Sequence, residues 1–94
     1  MRINTIEDFD KALTSGPYAW PGGYPLYFIL ADGAALSFDA AKVEADLIRE
    51  AIADRSPNGW RVVAVDVNWE DAALYCDHSG KRIESAYAED EANA

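Results

Sequence analysis

The stretch WRVVAVDVNW, residues 60–69, constrains the fold more than any other part of the chain. Its period-two alternation places Val63, Val65, Val67 and Trp69 on one face and Val62 and Ala64 on the other. Both faces carry apolar side chains, which predicts a strand inside a sheet rather than on its rim. Such a strand needs partners, and the sequence before it supplies them. In YPLYFILADGAALSF, aromatic and branched residues run from Tyr24 to Ala31, Asp32-Gly33 signals a tight turn, and Ala34–Phe38 returns. Hairpin and strand together predict a small antiparallel sheet.

Helices flank this sheet in the chain order. Asp39 is positioned to cap a long helix reaching about Arg55, with Val43, Leu47, Ile48, Ala51 and Ile52 on its apolar face, and SPNG breaks it. A shorter helix precedes the hairpin: Thr5 or Asn4 caps it, Glu7 and Asp8 occupy its first turn, and Gly16-Pro17 stops it. Ile6, Phe9 and Leu13 form its stripe, and YAWPGGYP comes next as a loop whose aromatics, including Trp20, pin it to the body. The class is α+β: a small antiparallel sheet packed on one long helix, with a short N-terminal helix. The expected core comprises Phe28, Leu30, Val43, Leu47, Ile52, Val63, Val65 and Val67.

With 94 residues, half of them hydrophobic, the chain has material for one domain and one core, spanning 1–94. Its acidic start carries no apolar secretion segment, and Pro25–Ala31, its longest apolar run, is far short of the roughly 20 residues of a membrane span. A cytoplasmic protein is expected. Net charge is −9, and from Asp66 onward eight acids face only Lys81 and Arg82. That balance argues against direct nucleic-acid binding, which needs a basic face, and favours a basic partner steered by the field. The last residues, from 86 onward, are expected to fray.

The C-terminal third holds an unusual frame. LYCDHSGKRI has the outline of a zinc knuckle, with Cys76, a tight turn and Gly80, but Ser79 stands where a second cysteine belongs. ALSFDAAK repeats the outline before the long helix, with Ser37 and Ala40 as the spaced pair. Cys76 is the only cysteine and His78 the only histidine, so no four-ligand metal site can be assembled, and neither a metal nor a cofactor is expected. A Cys76–His78 nucleophile and base would need a third group to orient it, and Glu70–Asp71 as an acid–base or Mg²⁺ pair would need a cleft with polar companions. A structural thiol and an exposed acidic turn are the simpler readings, and no catalytic residue is assigned.

The segment VDVNWEDAALYCDHSGKRIESAYAED resembles a group of small proteins of bacteriophages and other bacterial mobile elements, some with intact and some with degenerate zinc-ribbon frames. The shared features are the NWED strand end, the cysteine-containing turn with its glycine, and RIESAYAE. The hairpin matches more loosely. Where relatives of this kind carry cysteine pairs, the corresponding positions are Ser37, Ala40, Cys76 and Ser79, three of which are not ligands here. The resemblance implies a mobile-element origin, and with it a non-enzymatic inhibitor of a host defence complex, of anti-CRISPR type. The expected partner is a basic host protein or nucleoprotein complex such as a CRISPR effector. The alternative is a ribbon-derived accessory protein that binds another phage protein. The expected binding residues are Asp66, Glu70, Asp71, Asp77 and Glu84, with Trp69 as an apolar anchor.

Overall fold

The computed structural model describes residues 1–19, 22–55, 59–71 and 73–86. Trp20, the break at 56–58 and the acidic tail after Ala86 lie outside the described residues.

Helix α1 spans Ile6–Ser15. Thr5 caps it, its hydroxyl accepting from the Asp8 N–H at 3.1 Å, while the Asp8 carboxylate reaches back to the Asn4 N–H at 3.1 Å. This reciprocal arrangement satisfies two backbone donors at the helix start. Gly16, at φ 94°, ends the helix in a conformation that side chains resist. The next segment, whose prolines and glycines predict a loop, instead forms a short hairpin. Strand β1 (Tyr18–Ala19) pairs antiparallel with the start of β2 (Tyr24–Leu30), Tyr18 opposite Pro25 and Ala19 opposite Tyr24. Two residues of pairing are too few to leave a period-two pattern.

Strand β2 is the centre of the sheet. β3 (Ala35–Leu36) joins the same side as β1, further along β2, and β4 (Val62–Val67) pairs antiparallel on the opposite side. The central position expected for 60–69 therefore belongs to β2. Among the described residues, the outer side of β4 meets the N-terminal segment, where Ile3 N–H donates to Val63 O at 2.9 Å and Val65 N–H to Met1 O at 2.8 Å. The turn between β2 and β3 is the one expected: Gly33, at φ 90°, donates to Leu30 O, and the Asp32 carboxylate accepts from Ala34 N–H.

The long helix is divided. Helix α2 spans Phe38–Val43 and α3 spans Ala45–Asp54, with Glu44 at φ −107°, ψ 26° between them. Ser37, rather than Asp39, caps α2, its hydroxyl accepting from Ala40 N–H at 3.1 Å. Phe38 thus belongs to the helix, and counting from it gives buried or half-buried positions at Ala41, Ala45, Ile48 and Ile52. That phase turns Val43 and Leu47 outward, to 79% and 44% exposure, so neither is a core residue. Leu47→Ala is accordingly expected to change stability by less than about 1 kcal/mol, and Ile48→Ala, at a fully buried site, to cost about 2–5 kcal/mol. Urea unfolding of the two variants side by side checks the phase.

The strand phase also departs from strict alternation. Leu30 pairs with Val62 but Ile29 with Ala64, a register shift that leaves Val63 as the extra residue. The bulge brings Val62 onto the face of Val65, and both are buried, whereas Val63 and Val67 are only half-buried. Phe28 sits at the middle of the core, its ring 5.4 Å from that of Phe9 and stacked at 4.3 Å on Phe38. Arg49 ties α3 to α1 through Asp10 at 2.9 Å. The architecture is α+β, with a four-stranded antiparallel sheet and three helices among the described residues.

Candidate functional site

Past Val67 the chain leaves the sheet at Asn68, and this one side chain organises the turn and the C-terminal segment beyond it. Asn68 is buried. Its amide nitrogen donates to Asp71 O at 3.1 Å, Ile83 O at 3.4 Å and Glu84 O at 3.1 Å, and its amide oxygen accepts from Asp71 N–H at 3.1 Å. Its backbone N–H donates to Pro25 O and its carbonyl accepts from Ala86 N–H. An asparagine fits here because it alone combines several amide donations with a carbonyl acceptor at this length. The segment before the C-terminal tail is thereby sewn to the end of β4. Sequence reasoning missed this residue, although an Asn with an Asp three positions later at a strand end is a turn signal.

The turn that Asn68 holds presents the acidic end. Asp66, Glu70 and Asp71 are exposed, and Trp69 is 46% exposed with its ring 4.7 Å from that of Tyr24. The Asp66 carboxylate accepts from Val67 N–H at 2.8 Å, and that of Asp71 from Ala73 N–H at 2.9 Å. Burial raises the pKa of the Tyr27 hydroxyl, and the charges of Asp66 and Asp71 raise it further, so both carboxylates act on the same phenol. Glu84 lies beside this group through its backbone, but its carboxylate is engaged, accepting from the Tyr18 hydroxyl at 2.7 Å. That hydrogen bond is the first cause of the raised Tyr18 pKa. Asp77 is elsewhere. It sits on the knuckle turn, donating its N–H to Ala35 O, next to His78. The six expected binding residues thus divide: Asp66, Trp69, Glu70 and Asp71 form one end, Glu84 adjoins them as a tether, and Asp77 belongs to the other end of the sheet.

At that other end the two knuckle outlines meet. Cys76 N–H donates to Lys81 O and Gly80 N–H to Cys76 O, closing a turn that needs Gly80 at φ 73°. The Cys76 sulfur accepts from Ser37 N–H at 3.3 Å. Burial pushes the Cys76 thiol up, but hydrogen bonds from Ser79 and Ser37, side chain and backbone, outweigh this and bring it down to about 7. Ser37, at the cap of α2, and Ser79, in the turn, therefore surround the sulfur. Two hydroxyls and the Ala40 methyl provide neither thiolate nor imidazole, and among the described residues no three His, Cys, Asp or Glu side chains gather as metal ligands. His78 is engaged in packing instead. It stacks on Trp60 with centroids 3.9 Å apart and planes 5° apart, and its Nε2 lies 3.0 Å from Gly59 O. The knuckle is pinned by sulfur to β3 and α2, and by imidazole to the approach to β4.

Comparison with protein-family models, with curated proteins and with solved structures gives no match, so the reading of this site rests on its own geometry.

Proposed function

We propose that this chain is a non-enzymatic binding protein whose acidic end occupies a basic, nucleic-acid-binding surface of a host complex, in the manner of a mobile-element inhibitor of a CRISPR-type defence. The observation that carries this reading is the grouping of exposed Asp66, Glu70 and Asp71 around half-exposed Trp69 on a turn held by buried Asn68. Carboxylates fixed on such a turn need little ordering on binding, so less of the interaction is spent on entropy. Their field, added to the net charge of −9, steers a basic partner and lets the row of charges stand in for phosphates. A reactive thiol fits the molecule poorly, because Cys76 is 2% exposed and bonded to serines while His78 is engaged with Trp60 and Gly59. The meeting of Ser37 and Ser79 at Cys76 favours descent from a zinc-ribbon frame, with hydrogen bonds in place of the metal.

Reversing Glu70 and Asp71 together to lysine is expected to weaken binding to the partner recovered from host lysate by about tenfold or more, chiefly through slower association. The overall fold should be retained, since both residues are exposed and the one side-chain bond shown for either, from Ala73 N–H to the Asp71 carboxylate, lies within the turn. A double variant that binds as tightly as the parent, with affinity flat between low and high salt, sinks the acidic reading. Recovery of a phage-encoded protein instead of a host defence complex moves the chain to the accessory class.

A further inference from the structure

We propose that the small pocket between the end of α3 and the start of β4 binds a phosphate group, held by Arg2, Arg55 and Arg61. The fold gathers these three from distant parts of the chain. Arg55 ends α3, Arg61 leads into β4, and Arg2 bridges to Ala64 on the outer side of that strand. Together with Asn4 they line a cavity of about 70 Å³ over buried Ile3, Ile52 and Val62. Among the described residues no acidic side chain lines it, and residues 56–58 are uncharged in sequence. Asp8, bonded to the Asn4 N–H at the rim, is outside the lining. The pocket lies at the start of β4 and the acidic group follows its end, so the inference stands apart from the acidic-surface reading.

The charges in this pocket name the class of ligand. In a chain with 17 acids and 8 bases an arginine has carboxylates to choose from, and Arg49 takes two, Asp10 and Asp46. Arg2, Arg55 and Arg61 form no ion pair among the described residues. Three guanidinium groups sharing one cavity repel one another, and a bound dianion turns that repulsion into charge-assisted hydrogen bonds. The cavity is far below the roughly 300–1,000 Å³ of pockets that enclose whole organic ligands, so it takes a single oxyanion group. Phosphate has more charge and more acceptor oxygens than a carboxylate, and suits three guanidinium forks better. The backbone gives a second sign. Arg55, at φ 54°, is the one non-glycine residue of positive φ among the described residues, at a helix end that glycine most often fills. The relaxed choice is forgone there, and anion binding gives the arginine side chain a task. Arg61 Nη1 donates to Arg55 O at 2.8 Å, which offsets the carbonyl at the helix end and fixes the guanidinium beside the cavity with its other donors left over.

The test titrates the isotope-labelled protein with inorganic phosphate, methyl phosphate and acetate at constant ionic strength, followed by amide NMR. Inorganic phosphate is expected to give saturable shifts at Arg2, Ile3, Arg55, Arg61 and Val62, and none at 66–71. Arg55→Gly, which relieves the positive φ, is expected to keep the parent's urea midpoint yet weaken phosphate binding by about tenfold or more. Arg2→Gln, at an exposed side chain, is expected to weaken it in the same sense, while Lys42→Gln, exposed on α2, leaves it unchanged. Methyl phosphate that binds as well as the inorganic ion makes the ligand a terminal phosphate of a larger molecule, and weaker binding makes it the free ion; both results support the site. Shifts that climb without saturating, equal affinity for acetate, or an affinity that survives both Arg55→Gly and Arg2→Gln overturn it.

Discussion

Phe28→Ala is expected to cost about 3–5 kcal/mol, which is much of the stability of a domain this size. Phe28 is wholly buried on the central strand, opposite Leu36 of β3 and Val65 of β4, and its ring meets Phe9 of α1 and Phe38 of α2. One side chain therefore joins four elements, and its removal leaves a void that none of them can fill alone. The stacked and tilted ring pairs add about 0.5–1.5 kcal/mol each beyond area. Phe28→Leu keeps most of the volume and is expected to lose markedly less. Urea unfolding at fixed pH reads both numbers; a Phe28→Ala midpoint within error of the parent would mean that the sheet and helices do not converge on this ring.

How much the sequence disclosed depended on how local the cause was. The start and stop of α1 are legible because Thr5, Asp8 and Gly16 act on backbone groups within a few residues of themselves. The Asp32-Gly33 turn is legible for the same reason. The helix phase is misjudged when Phe38 is assigned to the returning strand, because a cap at Ser37 and a cap at Asp39 differ by two residues and turn Val43 and Leu47 through the core boundary. The β4 bulge depends on its pairing with β2 at Ile29 and Leu30, far away in sequence, so alternation along β4 alone could not register it. The same holds for the candidate site. Asp66, Trp69, Glu70 and Asp71 are neighbours in sequence and remain so in space, whereas the distance of Asp77 from them and the tethering of Glu84 by Tyr18 arise from the path of the chain across the sheet. The convergence of Ser37 and Ser79 on Cys76 was implied by the knuckle outlines, but the Trp60–His78 stack left no trace in spacing.

Asn68→Asp carries the second large effect, because it changes one atom and almost no volume. The variant loses the donations to Asp71 O, Ile83 O and Glu84 O and sets a carboxylate oxygen 3.1–3.4 Å from those carbonyls. Each buried partner left unpaired costs about 1–3 kcal/mol, so a loss of about 3 kcal/mol or more is expected near neutral pH. The effect carries a pH signature. Burial and the facing carbonyls disfavour the charged form, raising the folded-state pKa of the new carboxyl above its unfolded value of about 4. A raised folded pKa means that the variant is best placed below the unfolded value, where the protonated acid can still donate once, and loses stability as pH rises through the folded value. The gap from the parent should therefore be smaller near pH 4 than near pH 7, as read by urea unfolding at both. Hydrogen exchange at the Ile83 and Ala86 amides should quicken, because their segment is held at Asn68. Binding through Glu70 and Asp71 should weaken as well, although neither carboxylate is altered, since their turn loses its fixed support at Asn68. If Asn68→Asp keeps the parent's midpoint at both pH values, the turn is held by the strand end and Trp69 alone, and the acidic end owes its rigidity to packing rather than to this amide.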